Sequence, residues 1–375
     1  MKVSLIMYTA GGLSGGAAKY LRRMVPRLLE DKAVSDLRVL LPRGALPDFS
    51  RDWPIFEWSP GWLRGSEIRR LVAPRDPDVV FIPTARWIYP GAAASVVMLR
   101  NMEPLEATTG SRRAIDRAGR FARRLAAREA CAKADRVIAV SGHVADWLQD
   151  HWSLDPAKLA VIPHGVDPAG RGSPPVAASA LIGRRFVFSA GSIRPARGLT
   201  DLIEAMGRPD FPAELHLAFA GQPDPDTHDH YARLLERVAR LGLEGRVHWL
   251  GQCGREQMDW GFANCDLFVM TSRAEACPNT VLEALSHGCL SVSCDTPPMP
   301  EFFGSAALYY AAGDPASLAA ATVRALALNE GERDALRQAA RARASGYSWD
   351  RCARDTVTVL ADAAQCRGLR KKDKR

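Results

Sequence analysis

Residues 272–289 read SRAEACPNTVLEALSHGC, and the organisation of the chain can be worked outward from them. They follow an apolar run, Leu267–Met270, with the length and composition of a buried strand. Thr280–Ser286 has helical spacing, Pro278 and Asn279 stand where that helix begins, and Gly288 closes it before a second strand, Cys289–Ser293. Strand, loop, helix and strand in this order form a βαβ unit of a parallel sheet. Glu275 falls in the loop and Glu283 one turn into the helix. A helix start presents free N–H groups to an anion, and a carboxylate beside it accepts hydrogen bonds from a diol. Two carboxylates flanking an anion site suit a nucleotide-sugar. Two solvated glutamates near a helix terminus, where acids are common, are the plainer alternative.

The same alternation extends in both directions. Before it, strands are expected at Phe186–Ser189, Leu215–Ala220 and Val247–Leu250, with helices at Leu199–Met206 and Tyr231–Leu241. The front half carries strand patterns at Val3–Tyr8, Leu37–Leu41, Val79–Ile82, Val96–Leu99, Val137–Val140 and Leu159–Ile162. A helix with one apolar face (Ala17, Leu21, Met24, Val25, Leu28) separates the first two, and Pro26 is expected to kink or end it. Residues 169–185, AGRGSPPVAASALIGRR, break the pattern and are the expected linker. The fold class is therefore α/β, two Rossmann-like doubly wound domains facing across a cleft. Ligands of such sheets sit at the carboxyl ends of the strands.

The 375 residues are long enough for two domains, and 47% hydrophobic with 25% charged residues excludes a disordered or fibrous chain. The eight cysteines form no C-x-x-C pair, so reduced thiols are expected. No apolar stretch reaches the ~20 residues that cross a bilayer, and Val3–Tyr8 is too short for a signal-peptide core. A cytoplasmic protein is the expectation, with peripheral attachment to the inner face of the cell membrane as its extension. The net charge of +8 is uneven: +7 over residues 1–168, −4 over 169–366 and +5 over 367–375. Residues 111–133 form a helical pattern with seven arginines from Arg112 to Arg128, which suits an anionic lipid surface; a solvated arginine face is the alternative. Nucleic acid is not expected, because no aromatic residues interleave the basic ones.

Three further motifs bear on chemistry. Gly11-Gly12-Leu13-Ser14-Gly15-Gly16, between a strand and a helix, lets backbone amides approach an oxyanion, although its spacing is not G-x-G-x-x-G and a plain βα turn remains open. Asp76-Pro77-Asp78 and Asp224-Pro225-Asp226 spell D-x-D, but each lies at a Pro-bearing turn, and turn chemistry is the expected role. No metal site is expected. His143 is a helix-start residue or a cleft residue, and His164 is expected to be structural.

Here the sequence resembles a known family. Glu275 to Glu283 is similar to the E-x7-E signature of the retaining glycosyltransferases of family 4, bacterial cell-surface polysaccharide and glycolipid enzymes with the GT-B fold. Ala134–Ser141 (ADRVIAVS), Val161–Asp167 (VIPHGVD), Gly191–Gly198 with Leu202–Ala205 (LIEA), the turns Ala220-Gly221 and Leu250-Gly251, and Ser348-Trp349-Asp350 extend the resemblance over most of the chain. It implies an acceptor-side domain over 1–168, a nucleotide-sugar donor domain over 186–345, a helix over 346–366 that crosses back to the first domain, and a basic tail over 367–375. It also implies transfer of a hexosyl-type sugar from a nucleoside-diphosphate-sugar to a saccharide or lipid-linked saccharide. That donor is a co-substrate, and no metal or other cofactor is implied.

Site roles follow from the resemblance. Glu283 would hold the donor's ribose hydroxyls and Glu275 the transferred sugar. Backbone around Pro278, Asn279 and Thr280 would meet the diphosphate or the sugar, although Pro278 has no N–H. Gly15 and Gly16 would approach the diphosphate from the first domain. The family usually sets Arg and Lys five apart against the leaving diphosphate; here those positions hold Ser192 and Arg197, and Arg194 is the candidate replacement for the missing cation. Where many members carry a His-Asp or His-Asn pair, this chain has Arg100-Asn101, so Asn101 would contact the donor sugar and no imidazole base is at hand. The alternatives are a non-catalytic sugar-nucleotide or membrane-binding scaffold of the same fold, and a GT-B epimerase or hydrolase.

Overall fold

A computed structural model of the chain describes all residues except 10–12, 14, 46–48, 51, 60, 62–63, 107–113, 225 and 373–375, and describes no side chains for 64, 75, 114–116 and 370–372. Gly11, Gly12, Ser14, Arg112, Arg113 and the end of the basic tail thus lie outside the described residues. The chain divides into two compact units, one made of 1–105, 111–165 and 348–375, the other of 106–110 and 166–347.

The first unit runs β1 (Lys2–Ile6), α1 (Gly15–Glu30), β2 (Asp36–Pro42), β3 (Ile55–Trp58), α2 (Arg64–Val72), β4 (Val79–Ile82), β5 (Ala94–Leu99), α3 (Ala114–Lys133), β6 (Arg136–Ala139), α4 (Gly142–Trp152) and β7 (Leu159–Val161). Its seven strands are parallel in the order β3-β2-β1-β4-β5-β6-β7. Strand order reverses between β1 and β4, the switch point at which doubly wound sheets bind ligands. The central strands β4 and β5 are buried along their whole length, as parallel strands covered on both faces must be. Helix α1 continues through Pro26, which forfeits only the one bond its missing N–H would make.

The helix Trp349–Lys372 belongs to this unit although it closes the chain. It packs on α1, β4 and β5. Gly165 is glycine because the backbone of Ser348 and Trp349 passes where a Cβ would stand, 2.2 Å from the Trp349 nitrogen. His164 stacks on Trp349 at 6.0 Å between centroids and meets Tyr20 at 5.5 Å; it is 4% exposed, a packing residue.

The second unit runs β8 (Phe186–Ala190), α5 (Leu199–Met206), β9 (His216–Ala220), α6 (His228–Arg240), β10 (Val247–Gly251), α7 (Arg255–Asn264), β11 (Leu267–Met270), α8 (Asn279–His287), β12 (Ser291–Cys294), α9 (Met299–Phe303), β13 (Leu308–Tyr310), α10 (Pro315–Ala327) and α11 (Glu330–Ala344). Six parallel strands lie in the order β10-β9-β8-β11-β12-β13, so the switch point falls between β8 and β11. Residues 169–185 lie within this unit. Gly172 (φ +64°) stands where a Cβ would overlap the Glu256 carbonyl, Ser173 N donates to that carbonyl at 3.2 Å, and Val176–Leu181 forms a 3-10 turn against β9 and β10.

Candidate functional site

In the second unit the loops leaving β8 and β11 meet at the switch point. After β8 the chain turns through Gly191 and Arg194 into a 3-10 turn, Pro195–Arg197, closed by Gly198 in the left-handed region (φ +63°). Gly198 abuts the β11 loop: a Cβ there would lie 2.3 Å from the Thr271 carbonyl oxygen. Thr271 Oγ1 donates to the Arg197 carbonyl at 2.6 Å, and Arg273 N donates to the Ala196 carbonyl at 2.8 Å. These bonds bring Arg197 Nη1 to 2.6 Å from Glu275 Oε1, with the two side chains only 15% and 12% exposed. Ser272 Oγ donates to the same carboxylate oxygen at 2.9 Å. The guanidinium lies over Gly191, whose absent side chain leaves the room. Behind the pair, Arg273 Nη2 meets the buried Asp201 at 2.5 Å, and Asp201 accepts from Gly313 N at 3.0 Å. Burial pushes the neighbouring Cys294 thiol up to about 11, so it is neutral at physiological pH while donating to the Ser272 carbonyl at 3.0 Å.

Helix α8 begins beside this pair in sequence. Its N-cap is Pro278 rather than Asn279, and among the described residues no side chain caps its first turn. Asn279, expected as the cap, is instead the first helical residue. Among the described residues its Oδ1 and the Thr280 Oγ1, both buried, meet no hydrogen-bond partner. Glu283, half-buried, stands one turn in. Behind it His287 holds the helix to the 166–172 segment, Nε2 3.1 Å from the Gly170 carbonyl and 3.3 Å from Asp259 Oδ1. Arg194 is half-buried, and its carbonyl accepts from Arg197 N at 3.0 Å. The unit thus joins Arg197 with Glu275 directly and carries Asn279, Thr280 and Glu283 on the helix that follows.

The remaining predicted residues belong to the first unit. Gly15 and Gly16 open α1. Arg100 Nη2 donates to the Gly16 carbonyl at 2.9 Å, and its guanidinium lies 4.6 Å over the Tyr20 ring, so the end of β5 is tied to the start of α1. Asn101 is exposed at that strand end, its Oδ1 accepting from Glu103 N at 3.0 Å. A cavity of about 270 Å³ opens there, lined by Tyr8, Thr9, Thr84, Ala85, Arg86, Leu99, Arg100, Asn101, Pro104, Leu105, Arg123 and Ala127. His143 lies in the first turn of α4. Asp78 of the first D-x-D accepts from Lys2 N at 2.7 Å, a strand-start role. Among the described residues no cluster of three or more His, Cys, Asp or Glu is placed to hold a metal.

Sequence reasoning missed Ser272, Arg273 and Asp201, which position the pair, and Arg86 and Arg123, which line the cavity. Ser272 and Arg273 open the 272–289 segment and were readable there as polar residues at a strand end. Arg123 was legible only as one of the arginines of the 111–133 helical pattern, and Arg86 carries no local signal.

Two family models match this chain, one to each half. Residues 14–169 match the model described as Glycosyltransferase Family 4, and residues 179–343 the model described as Glycosyl transferases group 1. The chain belongs to glycosyltransferase family 4. The D-inositol 3-phosphate glycosyltransferase of Streptomyces coelicolor is 28% identical over 260 residues, covering 62% of this chain and 56% of that protein. The mannosylfructose-phosphate synthase of Agrobacterium fabrum is 30% identical over 164 residues, 41% of this chain and 36% of the synthase. The chain spans a little over half the length of the first of these curated relatives. Among solved structures, Anabaena Alr3699/HepE in complex with UDP superposes with a TM-score of 0.74 at 20% identity, over 96% of this chain and 100% of that one. The lipopolysaccharide glycosyltransferase WaaG superposes at 0.69 and 16% identity, over 97% and 99%. These likenesses establish the fold: this family 4 chain has the two Rossmann-like doubly wound domains of the GT-B class.

Proposed function

We propose that the chain is a retaining glycosyltransferase that moves a sugar from a nucleoside-diphosphate-sugar to a saccharide or lipid-linked saccharide acceptor in polysaccharide or glycolipid biosynthesis. The observation that carries this reading is the Arg197–Glu275 pair at the second sheet's switch point, in the loop leading to the uncapped start of α8 with Glu283 one turn further. The Anabaena neighbour has also been solved in complex with UDP-glucose, which supports a nucleotide-sugar donor.

Glu283 holds the ribose hydroxyls and Glu275 the transferred sugar. Arg197, with Arg194 supplying the cation that Ser192 cannot, faces the diphosphate together with the amides of Asn279 and Thr280. In the ligand-free chain Glu275 neutralises Arg197; an arriving diphosphate competes for the guanidinium, and the carboxylate is released toward the sugar. As the bond from the anomeric carbon to the phosphate oxygen breaks, the acceptor hydroxyl attacks from the same face, and the departing phosphate oxygen takes its proton. No side-chain base is then required, consistent with Asn101 where other members carry histidine. Stabilising the developing diphosphate charge supplies the catalysis. The protein needs no metal for this chemistry.

Helix α3 supports peripheral attachment to an anionic membrane surface: Arg117, Arg124 and Arg128 are exposed beside Phe121 (62%) and Leu125 (48%). Among the described residues no helix is long and apolar enough to cross a membrane. The purified chain, given a panel of nucleoside-diphosphate-sugars with a saccharide acceptor mixture, should release nucleoside diphosphate and form a glycoside of unchanged anomeric configuration by NMR. Binding of the nucleotide without product from any donor would instead favour the scaffold reading, which Ser192 suggests. An inverted product would refute the mechanism.

A further inference from the structure

Helices α7 and α8 pack against each other in the second unit, and each ends beside a cysteine. Helix α7 stops at Asn264 with Cys265 as its C-cap; α8 stops at His287, and Cys289 follows the closing Gly288. The last carbonyls of a helix have no intrahelical N–H to accept from. In the last turn of α7 the Phe262 carbonyl is in that position, because Asp266 N donates to the Phe186 carbonyl at 3.0 Å. Two thiols serve it instead: Cys265 Sγ donates to the Phe262 carbonyl at 3.5 Å and Cys289 Sγ at 3.3 Å. The two side chains also hydrogen-bond to each other. Cys265 is half-buried and Cys289 buried, so Cys265 is the one a small oxidant meets first. Among the described residues no cluster of three metal-ligating groups forms here. The hydrogen bond to Cys289, then burial, then the nearby Asp266 carboxylate push the Cys265 thiol well above its ordinary range. Its reactive thiolate is therefore scarce at neutral pH.

We propose that Cys265 and Cys289 are a reversible redox site, oxidised by hydrogen peroxide to a disulfide that staples the end of α7 to the end of α8. The Cys265 thiolate attacks one peroxide oxygen, the O–O bond breaks and hydroxide leaves, giving a sulfenic acid. The Cys289 thiolate then attacks the Cys265 sulfur and expels the second oxygen as hydroxide. The protons of the two thiols convert both hydroxides to water, so two thiols and one peroxide become one disulfide and two waters. A dithiol reductant reverses the step by exchange. The bridge closes residues 265–289 into a loop in the unfolded chain, which favours the folded state. This inference does not rest on the glycosyl-transfer reading.

The test is treatment of the reduced full chain with a small molar excess of hydrogen peroxide, followed by alkylation of free thiols, intact mass measurement and peptide mapping. Two cysteines should escape alkylation, the mapped peptides should be joined through Cys265 and Cys289, and dithiothreitol should restore the starting material. C265S, at the half-buried helix end, and C289A should each abolish the bridge, while C253S should leave it in place. The rate should rise about tenfold per pH unit between about pH 7 and pH 9, as the thiolate becomes more abundant. Oxidised wild type should melt about 5 °C above the reduced form, a rise that C265S lacks. Absence of the joined peptides, a bridge from Cys265 to another cysteine, or oxidation that ends at a sulfinic acid on Cys265 would overturn the proposal. A bridge that leaves the Tm unchanged would overturn the staple.

Discussion

One glycine, Gly198, holds together the loops that form the Arg197–Glu275 ion pair. Arg197 and Glu275 are far apart in sequence, and their contact depends on Gly198 holding a left-handed φ with no Cβ against the Thr271 carbonyl. Gly198→Ala should therefore lower unfolding free energy by about 2 kcal/mol or more, from ~1–2 kcal/mol of backbone strain plus the steric overlap, as read by urea denaturation. A variant as stable as wild type would show that the loop is not built this way. Arg197→Ala strips the cation and leaves Glu275 mostly buried with Ser272 alone. It should reduce nucleoside-diphosphate affinity at least about tenfold, whereas Arg197→Lys should keep part of it. Arg194→Ala should weaken the same binding, and an unchanged affinity would remove Arg194 from the site. The spacing of Glu275 and Glu283 was legible because both lie in one contiguous segment. Their partner Arg197 was readable only by resemblance. Ser272 and Arg273 were visible as polar residues at a strand end, but their contacts, and Asp201 altogether, were not, because contacts between distant loops leave no periodic signal.

At the scale of elements, hydrophobic runs longer than three residues and bounded by breakers were legible, so the strands beside both switch points emerge from pattern alone. Two strands did not. Ile55–Trp58 is four residues enclosed by prolines, and Leu308–Tyr310 only three, both too short for alternation to show. Helix α8 was legible in extent but not in its cap, since Asn279 is a good capping residue that Pro278 displaces by one position. The edge of the second sheet carries a titratable pair that pattern reading did not use. His216 Nδ1 lies 2.9 Å from His248 Nε2 on adjacent strands, and Arg184 Nη1 lies 3.2 Å from His216 Nε2. Burial first, then the nearby Arg184, holds His216 below the usual histidine range; burial, His216 and Arg184 do the same for His248. The unfolded chain therefore binds more protons than the folded one between these lowered values and about pH 6.5. The stability this pair contributes is present above about pH 6.5 and is lost as pH falls below it. Thermal melts from pH 7.5 to 5.0 should show a falling Tm that His248→Gln flattens, and identical pH profiles for both proteins would contradict the assignment.

Across the whole molecule, the order of strands in both sheets puts the candidate groups at switch points, a consequence of topology that no single motif states. The C-terminal helix is the clearest case of a remote segment completing a domain: Trp349, 3% exposed, packs with Tyr20 and His164 of the first unit. Trp349→Ala should destabilise that unit by about 3–5 kcal/mol in urea denaturation, while nucleotide affinity, assigned to the second unit, stays within twofold of wild type at temperatures where the protein is folded. A matching loss of nucleotide binding in the folded variant would refute that division of labour. The central claim is that the second unit binds a nucleoside diphosphate through Arg197 and Glu283, and a thermal-shift panel with UDP, GDP, ADP and dTDP on wild type and Glu283→Ala tests it most directly. At ~100 times its dissociation constant a ligand stabilises by about 2.7 kcal/mol, a readily measured rise in Tm. The account predicts that at least one diphosphate raises the Tm of wild type and that Glu283→Ala loses most of the response; no shift with any of the four, or an undiminished shift in the variant, would contradict it.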